Sequence, residues 1–217
     1  MRSVPVLPIT IGLLLAFGGP PLVASVTLRL ADPKHPLASA FVGLTALVVL
    51  VIAVIGVALL WERRSLSSIG LRRPTWRSLL WGLGLAAFFV LVFGPLIDLI
   101  FARVEHGGFE VGRSRLAGLP AWYLTIAIVV VGTIEEILYR GYAIERLAWL
   151  SGSYWVAGTV SVAASALAHV PMWGWLASSS FVISGGALTA FYVWRRDLSA
   201  TIVAHVVTDL VGIVLAR

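Results

Sequence analysis

The chain has 217 residues, 59% of them hydrophobic and 12% charged, with a mean hydropathy of +0.98; a soluble globular domain carries roughly 25% charged residues, so the solvent indicated here is a lipid bilayer. Cysteine is absent, which excludes disulfides, thiolate metal ligands and cysteine nucleophiles together. The net charge of +6 does not mark a nucleic-acid binder, because the basic residues gather between hydrophobic runs, where they meet anionic lipid and orient the chain.

Apolar runs lie at residues 4–28, 37–61, 78–102, 120–141, 154–171, 176–194 and 198–216. At about 20 apolar residues per crossing, they predict an all-α fold, a polytopic transmembrane helical bundle of about seven spans within a range of roughly six to eight. Residues 1–61 supply N-terminal transmembrane helices and residues 62–217 the core of one compact membrane domain. The first run contains Gly18, Gly19, Pro20 and Pro21, which predicts a broken or kinked helix. Arg2 ahead of an apolar stretch also suits a signal peptide, but no small-x-small cleavage site follows, so a retained helix is expected. Trp61, Trp76, Trp81, Trp122, Trp149, Trp155, Trp173, Trp175 and Trp194 all lie at or near proposed span ends, where amphipathic rings settle. Arg63, Arg64, Arg72, Arg73 and Arg77 form the densest basic cluster, which places that connection, and with it Arg195 and Arg196, in the cytoplasm. Arg103, Arg113 and Arg115 fall in an opposite loop and dilute the bias.

Several ionisable residues interrupt these runs. Asp98, just after Pro95, reads more readily as interfacial than as catalytic. Glu135, Glu136 and Arg140 close the fourth run. A charge near the bilayer centre costs about 2.5–3.5 kcal/mol on insertion scales, so this cluster needs a reason. On a helix Glu136 and Arg140, spaced i,i+4, pair on one face, while Glu135 points roughly 100° away. One account is a supporting ion pair beside a chemically available carboxylate; another is neutralisation of Arg140 by both acids at a membrane edge. Glu145 and Arg146 follow on an expected solvated face. His169 ends the fifth run before Pro171 and alone suits an interface, but it and Glu135 are nearly equidistant from a turn near Ser151 and Gly152. An antiparallel hairpin brings two such residues to one depth, where they can share a water or a metal. His205 and Asp209, again i,i+4, share one face of the last run, either as a hydrogen-bonded core pair or as a metal ligand or proton relay. Two histidines and two carboxylates in three nearly charge-free spans favour a functional role.

At these residues the sequence resembles the CPBP family of intramembrane endopeptidases, which contains type II CAAX prenyl proteases and bacteriocin-processing or bacteriocin-immunity proteins. Glu135, Glu136 and Arg140, followed by Gly141, match its first motif. His169 matches the second, with Ser165 where the family carries phenylalanine, and His205 the third, with Asp209 in place of asparagine. The segment from Glu62 to Arg72 looks like the loop preceding the family core, so the resemblance covers about residues 62–212. It implies that Glu135 is general base toward a water positioned by His169, that His205 supports the oxyanion, and that Glu136 and Arg140 brace the helix. Asp209 is the departure of most consequence, since a carboxylate accepts where an amide donates; it could instead orient His205 or bind metal. The family also suggests Zn²⁺ held by His169, His205 and Glu135 with an open position for water, although no H-E-x-x-H motif demands it.

The expected function is therefore an intramembrane endopeptidase acting on a membrane-associated peptide or protein, lipidated or not, of CAAX type or leader type. Its site is expected to open toward the cytoplasmic side of a bacterial-type plasma membrane, with lipids and a peptide substrate as partners. A noncatalytic immunity or peptide-binding protein on the same scaffold is one alternative, and a proton-coupled carrier is another; the lack of a visible internal repeat argues against the carrier.

Overall fold

The structure, a computed structural model, describes residues 6–103 and 109–215, so Arg2 lies outside the described residues. In chain order it comprises α1 (Val6–Leu30), α2 (Pro36–Trp61), α3 (Trp76–Phe101), the short α4 (Glu110–Leu116) and α5 (Ala121–Ser151). A stretch of 42 residues, Tyr154–Arg195, follows, and then α8 (Leu198–Leu215). No strand occurs among the described residues.

The long stretch is two helices. Gly174 leaves helical geometry with φ 82° and ψ 171°, a region that glycine enters at no steric penalty. Residues 154–173 (α6) and 175–195 (α7) double back on each other: Gly158 lies against Thr189, and the rings of His169 and Phe181 are 4.6 Å apart. Among the described residues six stretches have the length and apolarity to cross a bilayer, and the reversal at Gly174 makes one of them a hairpin, so seven described helices run through the bundle.

The break expected in α1 does not occur, since the helix continues through Pro20 and Pro21. Proline removes one helical hydrogen bond, and membrane helices tolerate that where neighbours pack the site; Pro20 is buried. The helix is part of the bundle core, with Ile9 and Ala16 fully buried and Phe17 stacked on Tyr139 at 6.3 Å.

Within α5 the segment Glu136–Ala143 is π-helical, and all eight of its residues are buried. Such wide turns are frequent at functional sites. Gly141 there admits the backbone of the 62–75 connection: a Cβ would sit 2.6 Å from the Ile69 carbonyl oxygen. That connection also corrects the solvated face expected for Glu145 and Arg146. Arg146 is buried, donating from Nε to Glu62 at 2.6 Å and from Nη1 to the Ser68 carbonyl at 2.9 Å, while Tyr142 donates to the other Glu62 oxygen at 2.5 Å. Glu145 accepts from Tyr192 at 2.5 Å and pairs with Arg196. The reason is tertiary: the loop folds under α5 to meet Arg146, the end of α7 brings Tyr192 and Arg196 to Glu145, and each charge meets a partner instead of water.

Candidate active site

Three helices contribute to one polar centre inside the bundle. The π-segment puts Glu136 and Arg140 on one side of α5, with Arg140 Nη1 donating to Glu136 Oε1 at 2.9 Å, and both residues are buried. Arg140 is held further by α7, donating from Nη2 to the Gly185 carbonyl at 3.2 Å and from Nε to Thr189 Oγ1 at 3.4 Å. α5 is thereby fastened to the returning arm of the hairpin.

Glu135 faces the other way, toward both histidines. Its Oε2 lies 3.6 Å from His169 Nε2 and 3.7 Å from His205 Nε2. These separations exceed a direct hydrogen bond and suit a shared water. Each imidazole is held through its other nitrogen. His169 Nδ1 donates to the Ser165 carbonyl at 2.7 Å, leaving Nε2 toward Glu135. His205 Nδ1 donates to Glu136 Oε1 at 2.9 Å, so Glu136 serves Arg140 and His205 together. Asp209 Oδ2 stands 3.4 Å from His205 Nε2, on the same face of α8. The structure thus brings together Glu135, Glu136, Arg140, His169, His205 and Asp209.

Sequence reasoning missed two features. Ser165, where the resembled family carries an aromatic, is buried beside the site, and the ring against His169 comes from Phe181 on the opposite arm. Asp98, taken as interfacial, lines a cavity of about 260 Å³ together with Arg113, His169, His205 and Asp209. Neither could be found without knowing that α6 and α7 form a hairpin or how α3 packs.

A second, more apolar cavity of about 440 Å³ also reaches Glu135, His169 and Asp209, passing between α1, α2 and α5. Asp32 at its rim accepts from His35 Nδ1 and from the Lys34 backbone N–H, each at 2.8 Å, and these two bonds hold its carboxyl below the ordinary value. The polar centre therefore sits where two cavities meet. Both extend toward the end of the bundle formed by the α1–α2 connection, α4 and the Gly174 turn. The basic 62–75 connection lies at the other end, against Arg146.

The donor types suit zinc, whose ligand bonds of about 2.0–2.1 Å place tetrahedral neighbours roughly 3.3 Å apart. The Glu135–histidine separations are 3.6 and 3.7 Å. Among the described residues no group of three or more His, Cys, Asp or Glu side chains is placed to hold a metal ion. The chemistry available to this geometry is proton transfer at Glu135 and hydrogen bonding by two oriented imidazoles.

Comparison with known proteins adds one match. Residues 117–211 match the family described as type II CAAX prenyl endopeptidase Rce1-like. Neither a curated protein nor a solved structure matches the chain.

Proposed function

Starting from a chain whose residues 117–211 carry an Rce1-like domain of the CPBP intramembrane protease family, we propose that it is an intramembrane endopeptidase hydrolysing a peptide bond in a membrane-associated peptide or protein. The observation that supports this most is the approach of Glu135 Oε2 to the Nε2 atoms of His169 and His205, at 3.6 and 3.7 Å, on the walls of two cavities. A water between Glu135 and His169 loses its proton to Glu135 as its oxygen attacks the scissile carbonyl. His205, its Nδ1–H held by Glu136, donates from a protonated Nε2 to the developing oxyanion. Glu135 then returns the proton to the departing amine as the C–N bond breaks. Asp209 faces His205 Nε2 and orients that imidazole in the place where the family carries an amide. No step is assigned to a metal.

The test is turnover of a panel of membrane-anchored peptides by the purified protein in nanodiscs, with Glu135→Ala and His169→Ala alongside. Cleavage by the unmodified protein is expected to survive chelator treatment and to vanish in both variants. Peptide binding without turnover in every form would favour the noncatalytic scaffold, for which the carboxylate of Asp209 beside His205 is the supporting feature.

Membrane sidedness can be read separately, because a chain without cysteine accepts single labels cleanly. Ser67 and Ala117 are exposed at opposite ends of the bundle. By the positive-inside rule, Ala117→Cys is expected to react with an impermeant maleimide in intact cells, and Ser67→Cys only after permeabilisation. The reverse pattern places the catalytic mouth in the cytoplasm and overturns the charge-based orientation; labelling of both from one side contradicts the fold.

A further inference from the structure

The basic end of the bundle holds more positive charge than its own acids balance. Glu62 is taken by Arg146 and Tyr142, Glu145 by Arg196 and Tyr192, and Asp197 accepts from the Ala200 backbone N–H to cap α8. Among the described residues Arg63, Arg64, Arg72, Arg73, Arg77 and Arg195 form no ion pair. Two of these arginines stand at an aromatic platform that joins α3 to α7. Trp81 of α3 and Trp194 of α7, both exposed, pack edge to face at 5.7 Å, and Phe191 closes the cluster 6.0 Å from Trp81. The guanidinium of Arg195 lies over both indoles, 5.2 Å from each ring centre. Arg77 precedes Trp81 by four residues and so shares its face of α3, on a first turn fixed by the capping box of Thr75 and Ser78. Its own guanidinium stands 5.5 Å over the Trp76 ring. A cation–π contact uses a guanidinium's charge but not its N–H bonds, so the donor forks of Arg77 and Arg195 stay open to an anion.

We propose that Arg77 and Arg195 form a binding site for the headgroup phosphate of an anionic phospholipid, seated where α3 meets α7 against Trp81 and Trp194. Guanidinium forks match phosphate oxygens, and indole rings settle at headgroup depth. A zwitterionic lipid brings a second cation to the same arginines and is repelled. Room for an acyl chain lies deeper on both helices. Gly84 on α3 is exposed, and a Cβ there would meet nothing; Ala190, one turn below Trp194 on α7, is exposed as well. The lipid bridges two helices, and α7 also carries Gly185 and Thr189, the partners of Arg140. Binding therefore stabilises the arm that braces the polar centre, by an amount that grows with lipid concentration.

The experiment titrates the purified full chain, stripped of lipid in neutral detergent, with dioleoyl phosphatidylglycerol, dioleoyl phosphatidylcholine or inorganic phosphate. Native mass spectrometry counts the lipid retained, and a melting curve follows stability. Phosphatidylglycerol is expected to bind about 10-fold more tightly than phosphatidylcholine and to raise the thermal midpoint, while inorganic phosphate at equal concentration leaves it unchanged. Arg77→Gln with Arg195→Gln weakens phosphatidylglycerol binding by about 25-fold, about 5-fold for each arginine. Arg77→Lys with Arg195→Lys keeps the charge without the fork and retains part of the affinity. Arg72→Gln with Arg73→Gln removes the same charge from exposed loop positions and costs less than about 3-fold, since solvent screens it. If the first glutamine pair does not fold, Arg195→Gln alone decides by its own 5-fold loss. Equal affinity for the two lipids overturns the proposal, and so does a loss at Arg77 and Arg195 no larger than that at Arg72 and Arg73, which leaves only diffuse surface charge. A midpoint raised equally by inorganic phosphate also overturns it, because the site then takes an anion and not a lipid.

Discussion

Glu135→Gln is expected to lower kcat by about 10²- to 10⁴-fold, the range contributed by a positioned general base, with little change in the thermal midpoint of the purified protein. Glutamine keeps the shape of the side chain and can still accept a hydrogen bond, but it cannot take a proton from water at neutral pH. Structural damage should be small because, among the described residues, the side chain of Glu135 has no contact to His169 or His205 shorter than 3.6 Å, and it is 17% exposed at the cavity. His169→Ala should act in the same direction, since it removes the second group holding the water. Measurement of single-turnover cleavage beside a melting curve separates chemistry from folding. Full turnover by a folded Glu135→Gln protein would remove this residue as the base and with it the proposed mechanism.

The number of helices and the identity of the polar cluster could be read from the chain because both depend on local signals. Apolar run length reports bilayer thickness, and i,i+4 spacing puts Glu136 with Arg140 and His205 with Asp209 on single faces. The near-equal distances of Glu135 and His169 from the Ser151–Gly152 turn belong to the same class of signal, because the turn is real: Gly152 adopts φ 73°. What could not be read depends on contacts between distant segments. Phe181 reaches His169 only because Gly174 reverses the chain. Arg146 is buried only because Glu62 and Ser68 arrive beneath it from about 80 positions earlier, at sequence separations of 84 and 78. The prolines of α1 misled for a similar reason, since local propensity predicts a break and packing in the bundle overrides it. The direction in which the site opens needs the cavities themselves, which no periodicity reveals.

Glu136 links stability to chemistry, and the two roles can be separated. Its carboxylate is fully buried, accepting from Arg140 at 2.9 Å and from His205 at 2.9 Å through the same oxygen. Arg140→Ala leaves that charge without its guanidinium and also frees the Gly185 carbonyl and Thr189, so a loss of about 3–5 kcal/mol is expected, the cost typical of breaking a buried pair from one side. A melting point unchanged from the unmodified protein would show that lipid or water compensates the charge and that the pair is not structural. Replacing both partners by leucine removes the buried charges together, an exchange that is often neutral or stabilising. Glu136→Leu with Arg140→Leu should therefore recover much of the thermal stability lost in Arg140→Ala. It should not recover hydrolysis, because His205 Nδ1 then has no carboxylate fixing the ring and its Nε2 no longer points reliably at the reacting carbonyl. A stable double variant with normal kcat would mean that Glu136 only neutralises Arg140, and that the orientation of His205 comes from Asp209 alone.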